Sequence, residues 1–171
     1  MQSDHKQNKF GKSFGIIAWI CALFLLTLFF NERLEEIWNP NAQIEHQVIN
    51  NVPTVKLTRN RAGHYVANGF INRQPVTFMI DTGATNVAIP EVIAQQLGLR
   101  KGQQFYTQTA NGRGISYATE LESLELGAIH LSDVNASISP GFKSNQILLG
   151  MSALKQLEFI QRGNQLTLRQ Y

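Results

Sequence analysis

The sequence predicts an all-β domain preceded by a single transmembrane helix, and three observations carry that expectation. Phe14 to Phe30 runs for 17 positions without a charge. From Val52 onward the chain breaks into short apolar runs, punctuated by turn residues about every 8 to 12 positions, as all-β domains are. One of these runs, Val76 to Ile80, has the β-branched content of a buried strand and delivers a carboxylate, Asp81, at its end.

Composition narrows the function before any motif does. A chain of 171 residues is enough for one domain plus an appendage. Cys21 is the sole cysteine, so no intrachain disulfide can form. His5, His46, His64 and His130 are scattered without cysteine or paired-carboxylate spacing, so no metal and no cofactor are assigned. The net charge of +3 comes from dispersed Lys and Arg with no aromatic-interleaved basic run, which argues against nucleic acid as a partner.

Residues 1–13 are polar, with Lys6, Lys9 and Lys12 against Asp4, and read as a cytoplasmic tail. At 1.5 Å per residue, 14–30 makes a helix of about 25 Å, near the lower limit of a spanning segment. It is apolar all round, unlike the amphipathic helix of a globular core. Leu28-Phe29-Phe30-Asn31-Glu32 lacks the small residues that signal peptidase needs, and Ile20 precedes Cys21 where a lipoprotein signal has a small residue. An uncleaved anchor is therefore expected. The lysines before the segment, against Glu32, Glu35 and Glu36 after it, place the N-terminus in the cytoplasm. That orientation makes a single-pass inner-membrane protein whose remainder lies in the periplasm or outside. Residues 31–50 read as a juxtamembrane linker, either a short interfacial helix through Leu34, Ile37 and Trp38 that breaks near Pro40, or a flexible tether.

Residues 51–171 are the β domain. Thr54 to Thr58 and His64 to Ile71 flank Asn60-Arg61-Ala62-Gly63, which reads as a hairpin loop. Asn72-Arg73-Gln74 turns the chain into the strand leading to Asp81, and Glu91 to Leu97 reads as a short helix between Pro90 and Gly98. Gln103 to Thr109 and Ile115 to Leu121 alternate around Ala110-Asn111-Gly112-Arg113-Gly114, where Asn-Gly is a strong hairpin signal. Leu124 to Leu126 and Ile129 to Ile138 are strands about Gly127-Ala128; a loop from Ser139 leads to Ile147 to Leu149. A helix-like segment, Met151 to Leu157, precedes a closing hairpin about Gly163-Asn164. A carboxylate at the end of a buried strand is costly unless partnered, so Asp81 points to function. An ordinary Asx turn through Asp81-Thr82-Gly83 is the competing reading.

Asp81-Thr82-Gly83-Ala84-Thr85, framed by the preceding apolar run and by Val87-Ala88-Ile89, resembles the active-site loop of the retropepsin-like aspartic proteases. Ile147-Leu148-Leu149-Gly150 with the following helix is similar to the apolar-apolar-Gly-helix segment that closes that fold. The motifs stand in the family's order and spacing, the resemblance spans Asn51 to Tyr171, and it is strongest to bacterial membrane-anchored members. It implies an acid-protease half-barrel with one short C-terminal helix, acting as an aspartic endopeptidase with Asp81 as the catalytic acid. By the same resemblance, Thr82 locks two loops across a twofold axis, Gly83 lets backbone amides approach the carboxylates, and Ala84, followed by Thr85, contacts substrate backbone. Leu148, Leu149 and Gly150 would support the loop from beneath. Residues Ala110, Asn111, Gly112, Arg113 and Gly114 would be a flap over substrate, with an ordinary exposed hairpin as the alternative.

Aspartic catalysis needs two carboxylates sharing one proton. The chain offers one, since Asp133 has no following glycine and reads as a strand-edge or turn residue. The resemblance supplies the second acid through a homodimer, with an extended peptide as substrate. The rival reading is a non-catalytic peptide-binding or scaffolding module of the cell envelope. Two departures from the retroviral pattern stand out: Met151-Ser152 replaces a charged or polar pair that supports the dimer there, and Ala153 is small for its helix.

Overall fold

The computed structural model describes residues 4–44, 46–49, 51–109 and 112–171. The chain divides into two compact units, one ending at Ile37 and the other spanning Trp38–Tyr171. The first holds all but the last residue of α1 (Asp4–Trp38), 35 residues long, which continues through the polar flanks on both sides of the apolar stretch. Its large apolar side chains, from Phe14 through Trp19 and Leu25 to Phe30, are all exposed. Among the described residues, no helix is long and apolar enough to cross a membrane.

The second unit holds eleven described strands in two sheets. The smaller has the order β1 (His46–Ile49), β2 (Val52–Thr58), β11 (Gln165–Gln170), β10 (Leu157–Arg162). The larger runs β3 (Val66–Ile71), β4 (Gln74–Ile80), β9 (Ile147–Leu149), β5 (Val87–Pro90), β8 (Ile129–Ser139), β7 (Gly112–Leu126), β6 (Gln104–Thr109). Where the sequence suggests a half-barrel, β3 also pairs with β7 through Phe70↔Glu125 and Ile71↔Leu124, which closes six strands into a barrel-like ring. Val66, Ile71, Phe78, Ile89, Leu121, Ile138 and Leu149 fill the core, each almost wholly buried. Alternation along β3, buried at Ala67, Gly69 and Ile71 and exposed at Asn68 and Phe70, is the period-2 pattern of a strand with one face inward.

Local chemistry fixes most turns. Asn72 and Arg73 both have left-handed backbone (φ 48° and 65°), the two-residue turn whose twist suits a hairpin, and Ile71 pairs with Gln74 across it. Helix α2 (Glu91–Gln96) begins after Pro90 and ends where Gly98 turns left-handed at φ 67°. Helix α3 (Met151–Leu154) is shorter than the expected 151–157, because the chain re-enters a strand at Leu157.

One expectation needs correction. Residues 60–63 do not join a β2–β3 hairpin: β2 pairs with β1 and β11, whereas β3 belongs to the other sheet. Asn60 instead closes a local loop, its backbone N–H donating to His64 O at 2.8 Å and its Oδ1 accepting from His64 N–H at 2.9 Å. Within the segment read as a juxtamembrane linker, asparagines bond to the strands of the β unit. Asn41 is buried; its Oδ1 accepts from Thr58 N–H at 2.7 Å and its Nδ2 donates to Val66 O at 2.7 Å and Thr58 O at 2.9 Å. Asn39 and Asn60 extend this clamp, through Asn68 Oδ1 and Trp38 O respectively.

Candidate active site

Asp81 stands where β4 leaves the barrel. Phe78 and Ile80 are buried along β4, and β9 runs parallel beside it with Ile80 level with Leu149. The backbone is held from both sides: Ile80 N–H donates to Tyr65 O at 2.9 Å, and Asp81 N–H to Leu149 O at 3.1 Å. The carboxylate is half-buried, and Oδ1 accepts the Gly83 N–H at 2.8 Å. A further turn bond runs from Ala84 N–H to Asp81 O at 3.2 Å. Among the described residues, no cation pairs with Asp81.

Gly83 serves this arrangement by lacking a side chain, not by adopting left-handed backbone, which it does not have. A Cβ there would lie 3.1 Å from Asp81 Oδ1, crowding the oxygen that its own N–H must reach. Thr82 and Thr85 are exposed, and Ala84 is half-buried. Leu149 is buried and Leu148 half-buried beneath the loop.

The loop is stitched to the start of α3. Met151 N–H donates to Ala84 O at 2.8 Å and Ser152 N–H to Thr85 O at 3.0 Å, while Ser152 Oγ accepts Val87 N–H at 2.9 Å. Gly150 makes the approach possible: a Cβ there would sit 2.2 Å from Asn86 O and 2.6 Å from Ala84 O, both backbone atoms that cannot swing aside. Ser152 is a functional support that sequence reasoning marks only as a departure from the retroviral pattern. Its partner lies 65 residues upstream, so no local signal announces it. Ala153 is fully buried.

The hairpin expected as a flap is formed by β6 and β7, paired as far as Thr109↔Gly112. Gly112, Arg113 and Gly114 lie within β7, Gly112 with φ 105°; Ala110 and Asn111 lie outside the described residues. Arg113 stacks on Tyr106, its guanidinium carbon 4.3 Å from the ring centroid. Asp133 is exposed within β8, with left-handed backbone at φ 52°. Two open clefts, of about 380 and 480 Å³, share Asn72 and Glu122 in their linings and include no residue of the Asp81 loop. The loop is instead a surface feature of one chain. Among the described residues, no group of His, Cys, Asp and Glu is gathered as a metal site.

Residues 67–156, just over half the chain, match the family described as gag-polyprotein putative aspartyl protease. An uncharacterized Sinorhizobium sp protein from the cobV 5′ region is 31% identical over 119 residues, covering 67% of this chain and 51% of that protein. An uncharacterized protein of Rickettsia prowazekii (strain Madrid E) is 30% identical over 110 residues, covering 63% and 47%. The chain thus spans about half the length of the curated relatives it matches. Among solved structures, a retropepsin-like aspartic protease from Rickettsia conorii superposes with a TM-score of 0.58 at 28% identity, over 75% of this chain and 94% of that one. The matched span contains both the Asp81 loop and the Gly150 segment that holds it, and the chain belongs to the gag-polyprotein aspartyl protease family, with a retropepsin-like fold.

Proposed function

We propose that the chain is an aspartic endopeptidase that works as a twofold homodimer, each subunit contributing Asp81. The observation that carries this reading is the state of that carboxylate: fixed at one oxygen by the Gly83 N–H, with no cation paired to it among the described residues, in a loop whose Thr82 and Gly83 face solvent. Two such acids brought together cannot both ionise easily, so they share a proton. The ionised one takes a proton from water as it attacks the scissile carbonyl; the protonated one polarises that carbonyl and passes its proton on. The exposed Thr82 is free to reach across the axis, Ala84 would meet substrate backbone, and Leu148 to Gly150 would hold the loop level. The hairpin about 110–114 would cover an extended peptide bound by main-chain hydrogen bonds.

Residues 14–30 of α1 would anchor the chain. Seventeen uncharged positions, about 25 Å of helix, fall slightly short of the hydrocarbon core, a difference that local thinning absorbs. The lysine-bearing N-terminus would then be cytoplasmic and the β domain extracytoplasmic at the inner membrane. Confinement to one membrane raises effective concentration, which favours a weak dimer.

A single acid per chain also suits the second reading, a peptide-binding module without catalysis. Incubating full-length protein and its Asp81→Asn variant with an unstructured peptide mixture at mildly acid pH separates the two. Endopeptidase function predicts cleavage by the natural sequence only, with peptide binding retained by the variant. Cleavage by neither, from a folded dimer over a broad pH range, overturns it.

A further inference from the structure

The β6–β7 hairpin is tied to the barrel by a chain of hydroxyls that the aspartate chemistry does not use. Thr107 Oγ1 lies 3.1 Å from Ser116 Oγ, and Ser116 Oγ lies 2.9 Å from Ser139 Oγ. Thr107 Oγ1 also donates to Gly114 O across the hairpin, at 3.5 Å. The strand registers produce this line-up: Thr107 faces Gly114 and Phe105 faces Ser116, while Tyr117 opposite Ile138 sets Ser116 beside Ser139 at the end of β8.

One ordering of protons satisfies every member, each hydroxyl donating once: Ser139 to Ser116, Ser116 to Thr107, Thr107 to the Gly114 carbonyl. Ser116 is wholly buried, so water cannot replace a lost partner there. On the other face Tyr106, Arg113 and Ile115 are exposed, with Arg113 stacked on Tyr106 of the same hairpin; Tyr117, at the base of the hairpin, is half-buried against the core beneath Lys101 Nζ, 4.7 Å from its ring centroid.

We propose that Ser116 is a positioning residue, the middle of a hydroxyl latch that fixes the angle at which the hairpin leaves the barrel and thereby holds bound peptide in place. Its effect on hydrolysis rests on the endopeptidase reading; the latch itself does not. In the full-length chain, Thr107→Val removes one hydroxyl at constant shape, Thr107→Ser keeps it, and Ser116→Ala removes the central link. Amide hydrogen exchange across 104–109 and 112–118 should quicken about tenfold in Thr107→Val and Ser116→Ala, the size expected for one lost hydrogen bond, and stay near wild type in Thr107→Ser. Exchange in β2 and β11 should not change. The KM for peptide should rise about threefold to tenfold in the same two variants, with kcat nearly constant, as loss of uniform binding requires.

Hairpin exchange equal to wild type in both variants overturns the latch. So does faster exchange spread equally over β2 and β11, which marks general destabilisation; an unmoved KM beside a loosened hairpin overturns the positioning of peptide by Ser116. If the wild-type chain cleaves no peptide while the exchange pattern is as expected, the endopeptidase reading fails and the latch stands.

Discussion

At the Asp81 loop, small atoms decide large effects. Gly83 must present its N–H to Oδ1, and an added methyl 3.1 Å from that oxygen would make the carboxylate give by a few tenths of an ångström. Gly83→Ala should therefore lower peptide hydrolysis by about tenfold or more while the melting temperature changes little, since the loop is exposed at this residue. Kinetics beside a thermal melt check it. Ser152→Ala acts on stability instead: it removes the acceptor of the buried Val87 N–H and should cost about 1–3 kcal/mol, read from urea unfolding, with Ser152→Thr recovering part of the loss. The two residues differed in how far the sequence announced them. Asp81 and Gly83 are legible because their chemistry lies within three consecutive positions, whereas the bond of Ser152 to Val87 exists only once β9 and α3 have folded against β5.

At the scale of elements, the least expected piece is the asparagine clamp just after α1. Asn41 occupies the place of a strand partner, serving Thr58 N–H, Thr58 O and Val66 O with one side chain. Asn41→Ala leaves these backbone groups without that partner and should destabilise the β unit by about 3 kcal/mol, measured as a shift in the urea midpoint at constant slope. Composition hid the clamp, because Pro40 reads as a helix break and polar residues after an apolar helix read as a linker. The β3–β4, β7–β8 and β10–β11 hairpins were legible for the opposite reason, being joined by two-residue turns of Asn-Arg, Gly-Ala and Gly-Asn. The partner of β2 was not, since β11 enters the sequence more than 100 residues later and loop-length rules say nothing about it.

For the whole molecule, the closed barrel sets one acid at an open surface, and the proposed chemistry requires a second copy. The fold class followed from the strand spacing, and the barrel closure did not, because the β3–β7 contact joins distant segments by two residue pairs. The proposed membrane attachment belongs to this scale too. Replacing Leu23 and Leu26 by aspartate should release the full-length chain from membranes at alkaline pH, each charge costing about 3 kcal/mol at a helix centre; unchanged retention would contradict anchoring through 14–30. The most direct measurement of the shared aspartate pair is subunit mixing: wild type and Asp81→Asn protein are allowed to exchange in equal amounts, and peptide hydrolysis per total chain is followed. If a working site needs one Asp81 from each subunit, only wild-type pairs act, and activity falls to about one quarter. A fall to about one half would show each chain acting alone and would contradict the shared site.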